Sequence, residues 1–273
     1  MDPELNKPLM QSSVNICQAE LDNSWKKTCK VLLGEDIGDL IEYEGYLKKY
    51  TDPIEKRKSI LSGRDVTISS HRISKNVPVI GHEEMIEYEK KTFTFPFNVN
   101  EIKDIDSILE TIKEKVCYAG NTILGNSRNV IDSHRCVNTS YAYGCQDVYD
   151  GKYVAFTTSI RSPEYSFGCC FGGEIQFCIK VLDPHKQIRC LETYHCNVTS
   201  DSYYSASLED CTNCLFSFNQ RNKHYLIGNV QLTKDKYAEL KSKLVSEIKD
   251  ELKQKKKIPS VIEIISGKGE WNG

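Results

Sequence analysis

From Ser12 to Tyr50 apolar side chains recur at a helical interval, at Ile16, Leu21, Trp25, Leu32, Leu33, Ile37, Leu40, Ile41 and Leu47, interrupted by Gly34 and Gly38. Asp22-Asn23-Ser24 precedes "WKKTCKVLL" with short polar side chains of the kind that accept from the free N–H groups of a first turn. The pattern predicts two or three short helices ending at Thr51-Asp52-Pro53. In "EKRKSILSGRDVTIS" a Ser-Gly-Arg-Asp turn separates two alternating runs, which reads as a hairpin. "HEEMIEYEKK" suits a short helix, "FTFPFNV" a strand, and "DIDSILETIKEKV" an amphipathic helix capped by Asp104.

After Gly120 the helical interval disappears. Ser, Tyr, Cys, Asn and Gly dominate as far as Asn229, a composition for short strands and tight turns. "EYSFGCCFGGEIQFCIKVLD" reads as a hairpin with Gly172-Gly173 supplying a two-residue turn. A weak repeat runs through the region: "SRNVID" (127), "CVNTSY" (136), "CQDVYD" (145), "CIKVLD" (178), "CLETYH" (190) and "CTNCLF" (211). Short β segments returning at quasi-regular intervals are what a solenoid shows, each coil burying its apolar face on its neighbours. An open antiparallel sheet is the alternative. "TKDKYAELKSKLVSEIKDELKQKKK" then opens on Thr233 and lines up Tyr237, Leu240, Leu244, Ile248 and Leu252 on one face. It reads as a helix capping the β stack, with "SVIEIIS" beyond Pro259 as an edge strand or docking tail.

The expected class is therefore α+β. A small N-terminal α/β module (1–119) precedes a β-rich, solenoid-like (β-helix) domain (120–232) and a C-terminal amphipathic capping helix with its tail (233–273). The 36 basic and 38 acidic residues leave a net charge of −2, so binding to nucleic acid or anionic membrane would need a local patch. No apolar run reaches membrane-spanning length, and "MDPELNKPLM" lacks a charged leader followed by an apolar core. The expectation is a soluble chain with no membrane partner, cytoplasmic or within a macromolecular assembly.

Cysteine changes the picture. Of twelve, nine lie between Cys136 and Cys214. Without a secretion signal, disulfides are the less favoured explanation. Cys211-x-x-Cys214 has the spacing of a zinc knuckle, and Cys190, His195 and Cys196 would complete a soft ligand set, making zinc the one cofactor worth testing. The competing reading, buried reduced thiols filling a β core, is favoured because free cysteine behaves as a small apolar residue. In "LFSFNQRNKHYLIGN", Arg221, Lys223, His224 and Tyr225 could stack on bases and contact phosphates or a protein partner. Alternatively, Phe216, Phe218, Tyr225 and Ile227 form the inward face of a strand pair. The lysines at 253–257 suit a helix C-terminus without any ligand. Asp147 with Asp150, or Asp201 with Glu209 and Asp210, could serve as the acid and base of glycan chemistry, although turns use Asp for backbone hydrogen bonds.

The segment from Asn121 to Leu244 resembles an uncharacterised group of cysteine-rich β-repeat proteins from candidate-phylum bacteria, archaea and viruses known from environmental genomes. Asn222-Lys223-His224-Tyr225, Asn229 and the helix start from Thr233 to Tyr237 carry the likeness. It extends to "KSILSGRDV" at 58–66, where relatives hold a Cys-Gly knuckle and this chain has no cysteine. The resemblance implies a β-repeat fold. Some members bear an acyl-CoA transferase label, which no residue here supports. The function expected is a non-catalytic scaffold or protein-interaction module, part of a virus-like particle or ribonucleoprotein, with homo-oligomers allowed. A zinc-stabilised nucleic-acid-binding protein is the alternative, and a glycan hydrolase the third.

Overall fold

The structure is a computed structural model and describes residues 7–69, 73–93, 103–182, 185–194 and 197–267. Its centre is a parallel β-solenoid of about eight turns. Lys152 pairs with Ser140 on one side and Glu164 on the other, and Thr158 with Gln146 and Cys170, so each coil returns after twelve residues.

A three-residue rhythm builds the coil. Nearly every third backbone between Asn129 and Tyr225 is left-handed, as at Tyr153 (φ 55°), Phe156 (φ 53°), Ser159 (φ 56°) and Ser162 (φ 52°). Each such residue turns a corner, giving four corners per coil. None of the described residues with this conformation between 129 and 225 is valine, isoleucine or threonine, because a β-branched side chain is strained there. The residue after each corner points inward. Sides this short leave room only for small groups, and the interior holds Cys136, Ala142, Cys145, Val148, Val154, Thr157, Ser166 and Cys178, all buried.

The same rhythm explains the repeat. Its starts, 127, 136, 145, 178, 190 and 211, look irregular but differ by multiples of three, and every one is an inward position. Gly172-Gly173, expected to turn a hairpin, does not. The strand Cys170–Leu182 runs through it, with Ile160 paired to Gly172 and Gly173 to His185, both parallel. Gly172 occupies an inward slot instead of a turn.

Helices cover one side. The N-terminal stretch expected as two or three short helices opens with one long helix, α1 (Lys7–Leu33), and the helical turns that follow it end at Tyr50, next to the expected stop at Thr51-Asp52-Pro53. Asp22 caps nothing within α1. One carboxylate oxygen pairs with Lys26 at 2.6 Å and the other accepts from the Leu40 N–H at 2.8 Å, capping the turn that follows. Helix α1 climbs the stack. Cys17 meets the Asn129 carbonyl, Trp25 packs edge-on to Phe167 (5.3 Å), and Tyr203 donates to the Leu32 carbonyl (3.2 Å). The short helix α2 (Glu44–Leu47) lies against the next corner, where a Cβ on Gly168 would sit 2.9 Å from the Leu47 carbonyl oxygen.

An antiparallel pair, β1 (Ile54–Lys58) and β2 (Asp65–Ser69), forms the hairpin expected around Ser-Gly-Arg-Asp. Strand β3 (Val79–Gly81), helices α3 (Met85–Phe93) and α4 (Ile105–Lys115), and β4 (Tyr118–Gly120) lead into the first coil, with Asp104 capping α4 as expected. Of the strand expected at "FTFPFNV", Phe93 closes α3 and the rest lies outside the described residues. At the far end Val230–Gln231 pairs antiparallel to the last coil, and α5 (Lys234–Lys255) starts on Thr233. Its first turn sits on that coil, Tyr237 against Tyr225 (5.5 Å), and the helix then runs back beside α1. "SVIEIIS" is no edge strand. It forms α6 (Val261–Ile265), because Ser260 accepts from the Ile262 N–H while Glu263 reaches back to the Ser260 N–H. Among the described residues no helix is long and apolar enough to cross a membrane.

Candidate functional site: a groove where an aromatic ladder is interrupted

The corner column facing α1 stacks Tyr141, Tyr153, Tyr165 and Phe177, with centroids 5.1, 5.1 and 4.9 Å apart. Rings repeat because each coil places the same corner one strand spacing above the last. The next three rungs hold Arg189, Asp201 and Asn213, and the aromatics resume at Tyr225. Where the rings are missing, the solenoid, the end of α1 and the inner face of α5 enclose a groove of about 800 Å³.

Its floor is the Arg189–Asp201 pair (3.5 Å) with Asn213, and its walls include Leu32, Tyr203, Tyr237, Ala238, Lys241 and Val245. Lys241 lays its ammonium 4.8 Å from the Tyr203 ring centre, and burial pulls its pKa below that of an ordinary lysine. Burial also pushes the Tyr203 phenol up to about 12. At the rim Lys249 approaches Glu35 at 3.6 Å. No ion pair joins Lys234 or Lys241 to a carboxylate among the described residues.

A second polar group sits one corner away. Lys180 (2 % exposed) and Glu192 (fully buried) approach to 3.5 Å, and the Lys180 ammonium lies 4.0 Å from the Tyr46 ring centre. Burial lowers the lysine pKa and raises that of the acid, pulling both toward neutrality. Glu192 abuts Ser260 and Tyr204 without a well-formed hydrogen bond, and Tyr204 donates to the Pro259 carbonyl at 3.0 Å. The pair is buried where the solenoid meets α2 and the segment before α6, and Lys180 lines a groove there with Tyr46, Lys49 and Glu263.

The cysteines have a common use. Interior hydroxyls donate to the carbonyl two residues back, as Thr157 does to Ala155 and Ser205 to Tyr203. Thiols do the same: Cys145 to Tyr143 (3.3 Å), Cys211 to Glu209 (3.2 Å) and Cys214 to Thr212 (3.5 Å). Burial pushes the Cys145 and Cys169 thiols up to about 12, away from the thiolate a metal needs.

Of the expected zinc set, the described members Cys190, Cys211 and Cys214 form no metal-holding cluster. Cys190 is bonded to Cys178 in the coil below, the one disulfide among the described residues, where reduced thiols were favoured. Cys190 and Cys214 share a column two coils apart, about 9.6 Å at the strand spacing. Two sulfurs on one zinc stand within about 4.6 Å of each other. His195 and Cys196 lie outside the described residues, and no metal-holding cluster occurs among those described.

The basic-aromatic stretch is dispersed as well. Arg221 pairs with Glu209 at 2.7 Å, Lys223 and His224 are exposed, and Tyr225 is drawn round to the ladder. Nor do Phe216, Phe218, Tyr225 and Ile227 face inward: the inward slots belong to Cys214, Ser217 and Leu226, and Phe218 is 52 % exposed. Asp147 is held by Arg135 (2.9 Å) and Asp150 accepts from Asn138 (3.1 Å), so both are engaged. Sequence reasoning missed Arg189, Asn213 and Lys241, and took Asp201 with Glu209 and Asp210 as possible acid–base carboxylates rather than as part of a groove floor. The signal was a twelve-residue column of aromatics that stops and restarts. Compared with protein-family models, curated proteins and solved structures, the chain matches none.

Proposed function

We propose that the chain is a non-catalytic scaffold that holds a small ligand in the groove between α1, α5 and the interrupted ladder. The observation that carries this reading is the groove itself. It is concave, within the roughly 300–1,000 Å³ of small-ligand sites, and combines apolar walls with a few converging polar groups. Against catalysis stands the burial of the Lys180–Glu192 pair, whose lysine is 2 % exposed and whose acid is fully buried. The nucleic-acid reading has less support, because the basic run near the end of α5 is spent internally: Lys253 pairs with Glu35, Lys255 with Glu251 and Lys256 with Glu42.

Thermal melting of the full chain with fractionated small-molecule cell extract, compared with Ala238→Trp, tests the proposal. Ala238 is exposed on α5 and lines the groove, so an indole there fills the space without disturbing the core. At least one fraction should raise the wild-type Tm and leave the variant unmoved. No stabilising fraction, or equal shifts in both proteins, would overturn the reading.

A further inference from the structure

The groove's chemistry narrows its occupant. Between the Phe177 and Tyr225 rungs the column climbs four coil steps, about 19 Å, without a ring. The rung directly below Tyr225 is Asn213, so a flat ring system can lie against Tyr225 and continue the stack. Asn213 and Asp201 set amide and carboxylate groups along the floor, offering both donors and acceptors to the edge of such a ring. Charge then chooses the other end of the molecule. Arg189 is occupied by Asp201 and Lys249 by Glu35, which leaves Lys234 and Lys241 as the groove lysines in no ion pair among the described residues, Lys241 feeling the Asp201 charge only at longer range. Lys241 is half-buried on the Tyr203 face, where an anion is attracted more strongly than at an open surface. Lys234 lies in the first turn of α5, the positive end of the helix dipole.

We propose that the groove binds a nucleoside phosphate, its base against Tyr225 over Asn213 and Asp201, its phosphate between Lys241 and Lys234. The ligand class rests on the scaffold reading above. Calorimetric titration of the full chain with purine and pyrimidine nucleoside mono- and triphosphates tests it, with adenosine and inorganic phosphate as separate probes. One nucleotide or more should bind at one per chain, and each half-molecule at least about tenfold more weakly. Lys241→Gln, which keeps the stem and removes the charge, should weaken the nucleotide about tenfold, the worth of one charge-assisted hydrogen bond. Ala238→Trp should abolish binding. Should that variant misfold by circular dichroism, Ser242→Trp on the same wall replaces it.

The class is overturned if no nucleotide binds, if binding survives the tryptophan, or if Lys241→Gln leaves affinity unchanged. It is overturned equally if an acidic peptide binds where nucleotides fail. An extract fraction that stabilises the wild type while nucleotides do not would refute the ligand class and leave the scaffold standing. Silence in both experiments would remove the two together.

Discussion

Acid should loosen the first coil before anything else, through His134. This ring is 1 % exposed and lies 2.6 Å from the Tyr118 hydroxyl on β4, with the Thr122 N–H directed at its other nitrogen at 3.5 Å. That pattern requires a neutral imidazole with its proton on Nε2, donating to the tyrosine oxygen. Burial, then the Arg135 charge, lowers its pKa from 6.5 to about 4, against a smaller opposing pull from Asp147.

The unfolded chain thus takes up a proton that the folded chain refuses. The histidine's contribution is complete above pH 6.5 and is lost as pH falls from 6.5 to 4, at about 1.4 kcal/mol per unit. The loss has a ceiling of about 3 kcal/mol, reduced somewhat because Arg135 acts through solvent. Urea unfolding at steps from pH 7.5 to 3.5 would be compared with His134→Gln, which keeps an acceptor and cannot titrate. The stability difference should be flat above 6.5, slope through the window and flatten near 4. A difference that stays flat throughout, or tilts the other way, would refute the reasoning.

Glu84 governs a lower window. Burial raises its pKa, but hydrogen bonds from Ser59, Ser62 and the Gly81 N–H, with Arg64 beside it, outweigh that and hold it at about 2. Its contribution, present above pH 4.5, is lost from 4.5 down to 2, and Glu84→Gln should flatten that limb of the same titration. Phe167→Ala, which empties the space beside Trp25, should cost about 3–5 kcal/mol in urea unfolding, and a loss under 1 kcal/mol would mean the α1 interface is not part of the core. At the Tyr153 corner, Phe should be tolerated, whereas Val should cost at least ~2 kcal/mol from strain and lost stacking; equal stabilities would contradict the three-residue rule. Cys145→Ser should keep the bond to the Tyr143 carbonyl and cost less than about 1.5 kcal/mol, while Cys145→Leu should overfill the coil by about 1–3 kcal/mol, read from thermal melts.

Much of the architecture was legible because it obeys familiar periods. The face Tyr237, Ile248 and Leu252 present from α5 is buried as its spacing implies, and the Asp104 and Thr233 caps do what short polar side chains do. The errors share a cause. A period of three belongs to neither helix nor ordinary strand, so Gly172-Gly173 read as a turn and Phe216 to Ile227 as an alternating strand pair. At Asp22 the residue type was a capping residue, but the N–H it serves belongs to Leu40, eighteen positions on, which no local window contains. The groove was hidden for a related reason. Arg189, Asp201, Asn213 and Tyr225 lie twelve residues apart, two of them noticed in sequence for other reasons, and become neighbours only when the chain is folded into twelves.

The corner rule also bears on how such a chain can change length. Inserting one residue would push every later inward side chain to the surface and bring corners onto β-branched residues. Inserting three would keep inside and outside distinct but rotate all later coils by a quarter turn, carrying α5, whose first turn rides on the last coil, away from α1. Only whole coils restore every column, so beyond the thirteen-residue step from Ile123 to Cys136 the solenoid's length is quantised. Its helices, which bridge fixed numbers of coils, would have to lengthen in the same increments.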